Sequence, residues 1–285
     1  MMKKFLGILL TTALAFGVAG CGGTQDAEKD AQADGQESAE AVTITVGASP
    51  SPHVDILKAA QPILEEQGIK LEIKEFTDYV LPNKALHSGD LDANYFQHKP
   101  YLDTFNEENK MELQSLGGIH YEPMGIFAGN TKALDDLKDG AKIGVPNDPT
   151  NEARALLLLQ ESGIITLKDG VGVDATKMDI AENPKNVEIV EMEAAALPKS
   201  MTSLDVAVIN GNYALSGGLS IEDALAMEAA DSLAAETYAN IIAVQKGDEA
   251  RPELQKLVEV LQSKEIADYI TSTFEGAVAP SVAAE

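Results

Sequence analysis

From Val42 onward the chain alternates short β-branched runs with amphipathic stretches of helical period, and this alternation restricts its possible folds more than any other feature. VTITVG, Val42 to Gly47, reads as a strand. After the ASPSPH loop, Ile56, Leu57, Ala60, Ile63 and Leu64 recur at helical spacing through Val54 to Glu66. The series continues with a strand at Leu71 to Phe76, a helix at Leu81 to His87, a strand at Asp92 to Tyr95, a helix at Pro100 to Asn109 and a strand at Tyr121 to Ala128. A second series follows: helix Ala133 to Leu137, strand Lys142 to Val145, helix Thr150 to Ser162, strand Val187 to Val190, helix Ala195 to Met201 and strand Val206 to Ile209. The last helices, Glu222 to Ala230 and Pro252 to Phe274, flank a strand at Ile241 to Val244. Such βαβ texture predicts an α/β fold with parallel sheets covered by helices on both faces.

The N-terminal segment has a different character. Lys3 and Lys4 precede an apolar stretch, Phe5 to Val18, too short to span a bilayer, and Val18-Ala19-Gly20-Cys21 ends it in small residues and a cysteine. This is a lipobox, so residues 1–20 read as a lipoprotein signal peptide and Cys21 as the acceptor of the lipid. Two or three acyl chains, at about 0.8 kcal/mol per buried methylene, hold a protein on a membrane where one is marginal. Residues 22–41 contain no aromatic residue, leucine, isoleucine or valine, but carry six acids and one lysine. Nothing there offsets the entropy of ordering, so 21–41 is expected to be a disordered tether at the extracytoplasmic face of the cell membrane. Because Cys21 is the only cysteine, the globular part must hold together without disulfides.

Loss of residues 1–20 removes two lysines and no acids, leaving 19 basic and 46 acidic residues and a net charge of −27. Nucleic acid is not an expected partner of such a surface. Catalysis finds no support either. The chain has no GxSxG, GxGxxG or GxxxxGK[ST], and no second cysteine to serve as nucleophile, so neither enzymatic activity nor a cofactor is expected. His53, His87, His98 and His120 are scattered, without HxxxH or HExxH spacing. A zinc-binding receptor lipoprotein is the alternative reading, and it needs the fold to assemble the site.

Two segments carry binding chemistry. Asp148-Pro149 suits the N-cap and first position of a helix, and Arg154, the only arginine before Arg251, lies in its opening turns. Free N–H groups at a helix start beside a guanidinium form a natural carboxylate receiver. Tyr95, Phe96, His98 and Tyr101 concentrate rings within seven residues of a chain only 5% aromatic, a suitable wall for an apolar or thioether side chain. Asn210, Asn212 and Asn240 fall at strand ends, where an amide can offer an acceptor to an ammonium or a donor to a carboxylate.

Together EFTDYVLPNKAL, LDANYFQHKPYLD, VPNDPTNEARALLLLQ, INGNYA and YANIIAV, in this order behind a lipobox, resemble the methionine-binding lipoproteins of methionine ABC importers, the NlpA lipoprotein family, over Val42 to Val282. The resemblance implies a two-lobed periplasmic-binding-protein fold of type II-like topology, with the ligand in the inter-lobe cleft. Lobe I would comprise 42–123 and 239–285, and lobe II 124–238, the chain crossing near Glu122 to Ile126 and Glu236 to Asn240. The resemblance also implies capture of methionine or a close analogue, as the L-form, the D-form or a dipeptide, for delivery to an ABC importer permease. Carried over by position, Arg154 would clamp the ligand carboxylate, with Asn151 at the same helix start. Asn212 and Asn240 would bind the ligand's polar ends, and Tyr79, Phe96, His98 and Tyr101 would line the side-chain pocket.

Overall fold

The computed structural model describes residues 41–229 and 233–281. The leader, Cys21 and the tether up to residue 40 lie outside the described residues. β1 (Val42–Ala48), α1 (Asp55–Glu66), β2 (Ile69–Glu75), α2 (Leu81–Ser88), β3 (Ala93–His98), α3 (Lys99–Asn109) and β4 (Gln114–Tyr121) open the chain. β5 (Gly125–Ala128), β6 (Lys142–Pro146), α4 (Pro149–Glu161), the hairpin β7 (Thr166–Leu167) and β8 (Ile180–Glu182), and β9 (Glu188–Met192) follow. Next come α5 (Leu197–Ser200), β10 (Val206–Ile209), α6 (Gly211–Ser216), β11 (Ala224–Met227) and α7 (Leu233–Thr237). β12 (Asn240–Val244), α8 (Pro252–Leu261), α9 (Lys264–Phe274) and β13 (Ala279–Pro280) complete it.

Two principal sheets result, one per lobe. The first runs β13-β4-β12-β3-β1-β2 and the second β11-β5-β10-β6-β9. β1 pairs with β2 and β3 in parallel, and β6 pairs with β9 and β10 in parallel, as the βαβ texture predicts. The sheets are nevertheless mixed, because β12 returns antiparallel to β3 and β4, and β5 lies antiparallel to β10 and β11.

Strand alternation puts apolar residues on both faces of each sheet. On β12, Ile242 and Val244 enter the core beneath α1, α8 and α9, while Ile241 and Ala243 join Leu86, Leu91 and Leu102 on the other face. On β10, Val206 and Val208 pack with Leu156 and Leu159 of α4, and Ala207 and Ile209 with Leu197 and Tyr213. Among the described residues no helix is long and apolar enough to cross a membrane.

The structure corrects several expectations. The strand predicted over Tyr121 to Ala128 is two strands in different sheets, separated at Glu122-Pro123-Met124. Pro123 has no N–H to donate to a ladder, so pairing stops there and the chain passes from one sheet to the other. The helix predicted over Glu222 to Ala230 is instead a short 3₁₀ turn and β11, with Ala230 outside the described residues. Its helix-forming composition yields to pairing with β5. The predicted helix Ala133 to Leu137 shrinks to a 3₁₀ turn over Leu134–Asp136. Pro252 to Phe274 forms two helices, since Ser263 accepts from the Ile266 N–H and caps the second.

Candidate ligand-binding site

β3 runs straight into α3, which places Phe96, His98 and Tyr101 side by side. Asp148 ends the turn after β6 and caps α4 through the Asn151 N–H at 3.0 Å, with Pro149 at the first helical position. That start fixes Asn151 and Arg154 on the buried face of α4. The end of β10 presents Asn210, and α6 begins immediately with Gly211 and Asn212. The Gly211 backbone lies so close to Glu122 that a Cβ there would sit 2.7 Å from the Glu122 Cβ, a contact only glycine avoids.

These segments line a small cavity whose wall contains the eight residues carried over from the family pattern: Tyr79, Phe96, His98, Tyr101, Asn151, Arg154, Asn212 and Asn240. Gln97, Glu122, Asn210 and Gly211 complete it. Tyr79, Phe96 and Tyr101 form one aromatic cluster, with ring centroids 5.7 to 6.0 Å apart. Tyr79 donates its hydroxyl to Asn212 Oδ1 at 2.5 Å, joining the aromatic wall to α6.

Arg154 is buried and does not stand alone. Its Nε and Nη2 donate to the two carboxylate oxygens of Glu228 at 2.8 and 2.6 Å, and Nη2 also donates to the Glu122 carbonyl at 2.8 Å. The guanidinium lies 4.5 Å from the centroid of the Tyr238 ring, a cation–π contact. Burial pushes the Glu228 carboxyl up, but the Arg154 charge, the bonds from Arg154 and those from Met124 N–H and Tyr121 O–H outweigh it and hold Glu228 below the usual range. Burial lowers His98 to about 3, and the Arg154 charge adds to this, so the ring is neutral.

The amides are joined in a line. Asn151 Nδ2 donates to the Asp148 carboxylate at 2.9 and 3.1 Å, and Asn151 Oδ1 receives Asn210 Nδ2 at 2.7 Å and lies 3.2 Å from His98 Nε2. Two buried atoms of the wall have no partner: Asn210 Oδ1, an acceptor, and Asn212 Nδ2, a donor. Buried polar atoms are seldom left unpaired, and here two of opposite kind lie in one cavity.

Of the four histidines, the fold gathers His53 and His120 beside Glu122, with one ligating atom of each within 4.8 Å of the others. His98 lies in the cavity wall, and His87 is exposed on α2. The His53 and His120 cluster is joined by hydrogen bonds, with His53 Nδ1 left unpaired. His120 Nε2 is 2.7 Å from Glu122 Oε1, His120 Nδ1 meets the Tyr95 hydroxyl, and His53 Nε2 is 3.0 Å from Asn240 Oδ1. Ligands of one tetrahedral zinc ion stand about 3.3 Å apart, given metal–ligand distances near 2.0 Å. The 2.7 Å contact is therefore a hydrogen bond, and an ion would have to prise the cluster open. Its place behind Glu122 and Asn240 makes it a support for the cavity floor.

The sequence from 44 to 282 matches the NlpA lipoprotein family. The chain belongs to that family. It is 42% identical over 246 residues to the D-methionine-binding lipoprotein MetQ of Salmonella typhimurium, covering 85% of this chain and 89% of that one. It is 40% identical over 285 residues to the methionine-binding lipoprotein MetQ of Bacillus subtilis, covering 98% and 99%. Among solved structures it resembles a nutrient binding protein from Burkholderia cenocepacia bound to methionine, with a TM-score of 0.79 and 45% identity over 84% of this chain and 99% of that one. As a member of the NlpA lipoprotein family the chain is a binding protein and not an enzyme.

Reading the sequence did not single out Glu122, Gln97, Glu228 or Tyr238. Glu228 lies 74 residues from Arg154, and no local pattern signals the pair. Asn210 carried the same strand-end signal as Asn212, but only Asn212 was carried over from the family pattern.

Proposed function

We propose that this chain is a lipid-anchored binding protein that captures methionine in the cavity and delivers it to an ABC permease. The observation that carries the reading is the pair of unpaired, opposite amide atoms beside an aromatic wall. Asn210 Oδ1 suits an ammonium and Asn212 Nδ2 a carboxylate, so the two complement a zwitterion. Arg154 Nε and Nη2 are engaged by Glu228 and Glu122, so Nη1 is the nitrogen that clamps the carboxylate. Tyr79, Phe96, His98 and Tyr101 receive the thioether, whose sulfur packs well against ring edges. Asn240 and Asn151 hold the adjoining walls. The names of the relatives and the methionine in one of them support this ligand.

In this reading the lobes are 42–123 with 239–285, and 124–238, and they close over the ligand. The cavity wall is almost entirely buried, with Phe96 2% and Asn212 3% exposed, which favours the free amino acid over a dipeptide. The anchor is Cys21, placed by the leader at the outer face of the membrane. Isothermal titration of ligand-stripped protein with L-methionine, D-methionine and a methionine dipeptide tests the ligand. Saturable binding of a free enantiomer is expected, and no heat with either would overturn the reading. Metabolic palmitate labelling tests the anchor. Label is expected in the native chain and should disappear in Cys21→Ser, whereas equal labelling of both would remove the anchor.

A further inference from the structure

An asparagine amide is nearly symmetric in shape, so which end it presents to a cavity is decided by what its other end touches. Asn210 presents oxygen because its nitrogen is committed to Asn151 Oδ1 at 2.7 Å. Asn151 in turn is held from two sides. The Asp148 carboxylate, which can only accept, takes Asn151 Nδ2 on both its oxygens. His98 takes the other end. Its Nδ1 accepts from the Tyr101 backbone N–H at 3.2 Å, so in the neutral ring Nε2 carries the hydrogen and donates to Asn151 Oδ1.

We propose that Asp148 is a positioning residue that fixes the sense of the Asn151 and Asn210 amides, and so makes the cavity select ligands bearing an ammonium. The proposal rests on the reading of the cavity as an amino-acid site. Asp148 is not part of the wall of that cavity; it acts through Asn151. Asn212, two residues from Asn210, is set the opposite way by the Tyr79 hydroxyl, which occupies Oδ1 and leaves Nδ2 unpaired. Reversing the Asp148 line would put two donors where the site now has a donor and an acceptor, and an ammonium would then face N–H groups.

Asp148→Asn tests this. Asparagine caps a helix as well as aspartate does, so the start of α4 is kept, but the new side-chain N–H₂ opposes Asn151 Nδ2 and favours the flipped amide. Titrations would use methionine and 4-(methylthio)butanoate, which lacks the amino group. The native chain is expected to prefer methionine strongly. Asp148→Asn should lose about tenfold or more of that preference through weaker methionine binding, because the bond lost is to a charged group. Asp148→Ser, which also caps the helix, should behave the same way. An unchanged preference in both variants, or equal weakening of both ligands, would overturn the proposal while leaving methionine binding intact. Failure of the native chain to bind methionine would overturn the amino-acid reading and this inference together.

Discussion

Asn83, Asn94 and Gln97 on the side of the first sheet, and Asn151, Asn210 and Asn212 on the side of the second, are both triads of buried amides. In the first triad each amide is bonded to another. Asn83 and Gln97 exchange two bonds at 2.8 and 2.7 Å, Gln97 donates to Asn94 Oδ1 at 2.9 Å, and Asn94 donates to Asn83 Oδ1 at 2.8 Å. The second triad leaves Asn210 Oδ1 and Asn212 Nδ2 unpaired. Composition and burial are alike, so the difference lies in satisfaction alone. A closed amide network holds β3 against α2, and an open one keeps an acceptor and a donor to offer.

Acid should separate the two triads most strongly. The closed one contains no titratable group, whereas the open one leans on His98, with His53 and His120 behind Glu122 and Asn240. Burial lowers these rings to about 3, about 4 and about 3 respectively. Their pKa in the unfolded chain is about 6.5, so below that pH the unfolded chain binds more protons. The stability they contribute is present above pH 6.5 and is lost as pH falls toward 3. Glu122, Asp148 and Glu152, raised by burial, work in the opposite sense and offset part of this loss. A loss on the order of 5 kcal/mol between pH 7 and pH 4 is expected in urea denaturation. A flat profile would show that the rings are not buried and neutral.

Breaking the closed triad comes next in size. Asn83→Ala leaves Gln97 Oε1 without a donor and takes one acceptor each from Asn94 and Gln97, and should lower stability by about 3 kcal/mol in the same assay. Arg154→Ala should weaken methionine binding by about 3 kcal/mol, roughly a hundredfold, as measured by titration. It should also destabilise the chain by stranding the Glu228 carboxylate. Asn210→Ala is the sharpest contrast with Asn83→Ala. It removes an oxygen that has no partner in the free protein and one bond to Asn151 Oδ1, which keeps His98 Nε2, so the stability loss should be smaller than for Asn83→Ala while methionine affinity falls by about 1–2 kcal/mol. A large stability loss in Asn210→Ala with unchanged affinity would erase the distinction between the triads.

Much of this site was legible because its parts are local. Asp148 and Pro149 announce the start of α4 by their chemistry, and the ring-rich run of β3 and α3 is contiguous, so both halves of the cavity could be read before their meeting was known. The strands of β1, β6 and β10 were legible for the same reason, since alternation and β-branching are properties of a few neighbouring residues. What could not be read is what depends on pairing across the chain. Glu228 meets Arg154 only because β11 lies on the edge of the second sheet, and β11 itself has the composition of a helix. The antiparallel return of β12 leaves no local mark, and the choice between Asn210 and Asn212 turns on partners at 151 and 79.

The Arg154 and Glu228 pair has a consequence for discrimination among amino acids. A lone buried guanidinium would call for a ligand of net negative charge, and an unpaired carboxylate for a cationic one. Here the two are bound to each other at 2.6 Å, and His98, the ring in the cavity wall, is neutral. An amino acid with an uncharged side chain brings equal and opposite charges and leaves that balance as it was. A lysine or an aspartate would each carry one charge too many into a buried wall whose other carboxyl, Glu122, is already bonded to His120.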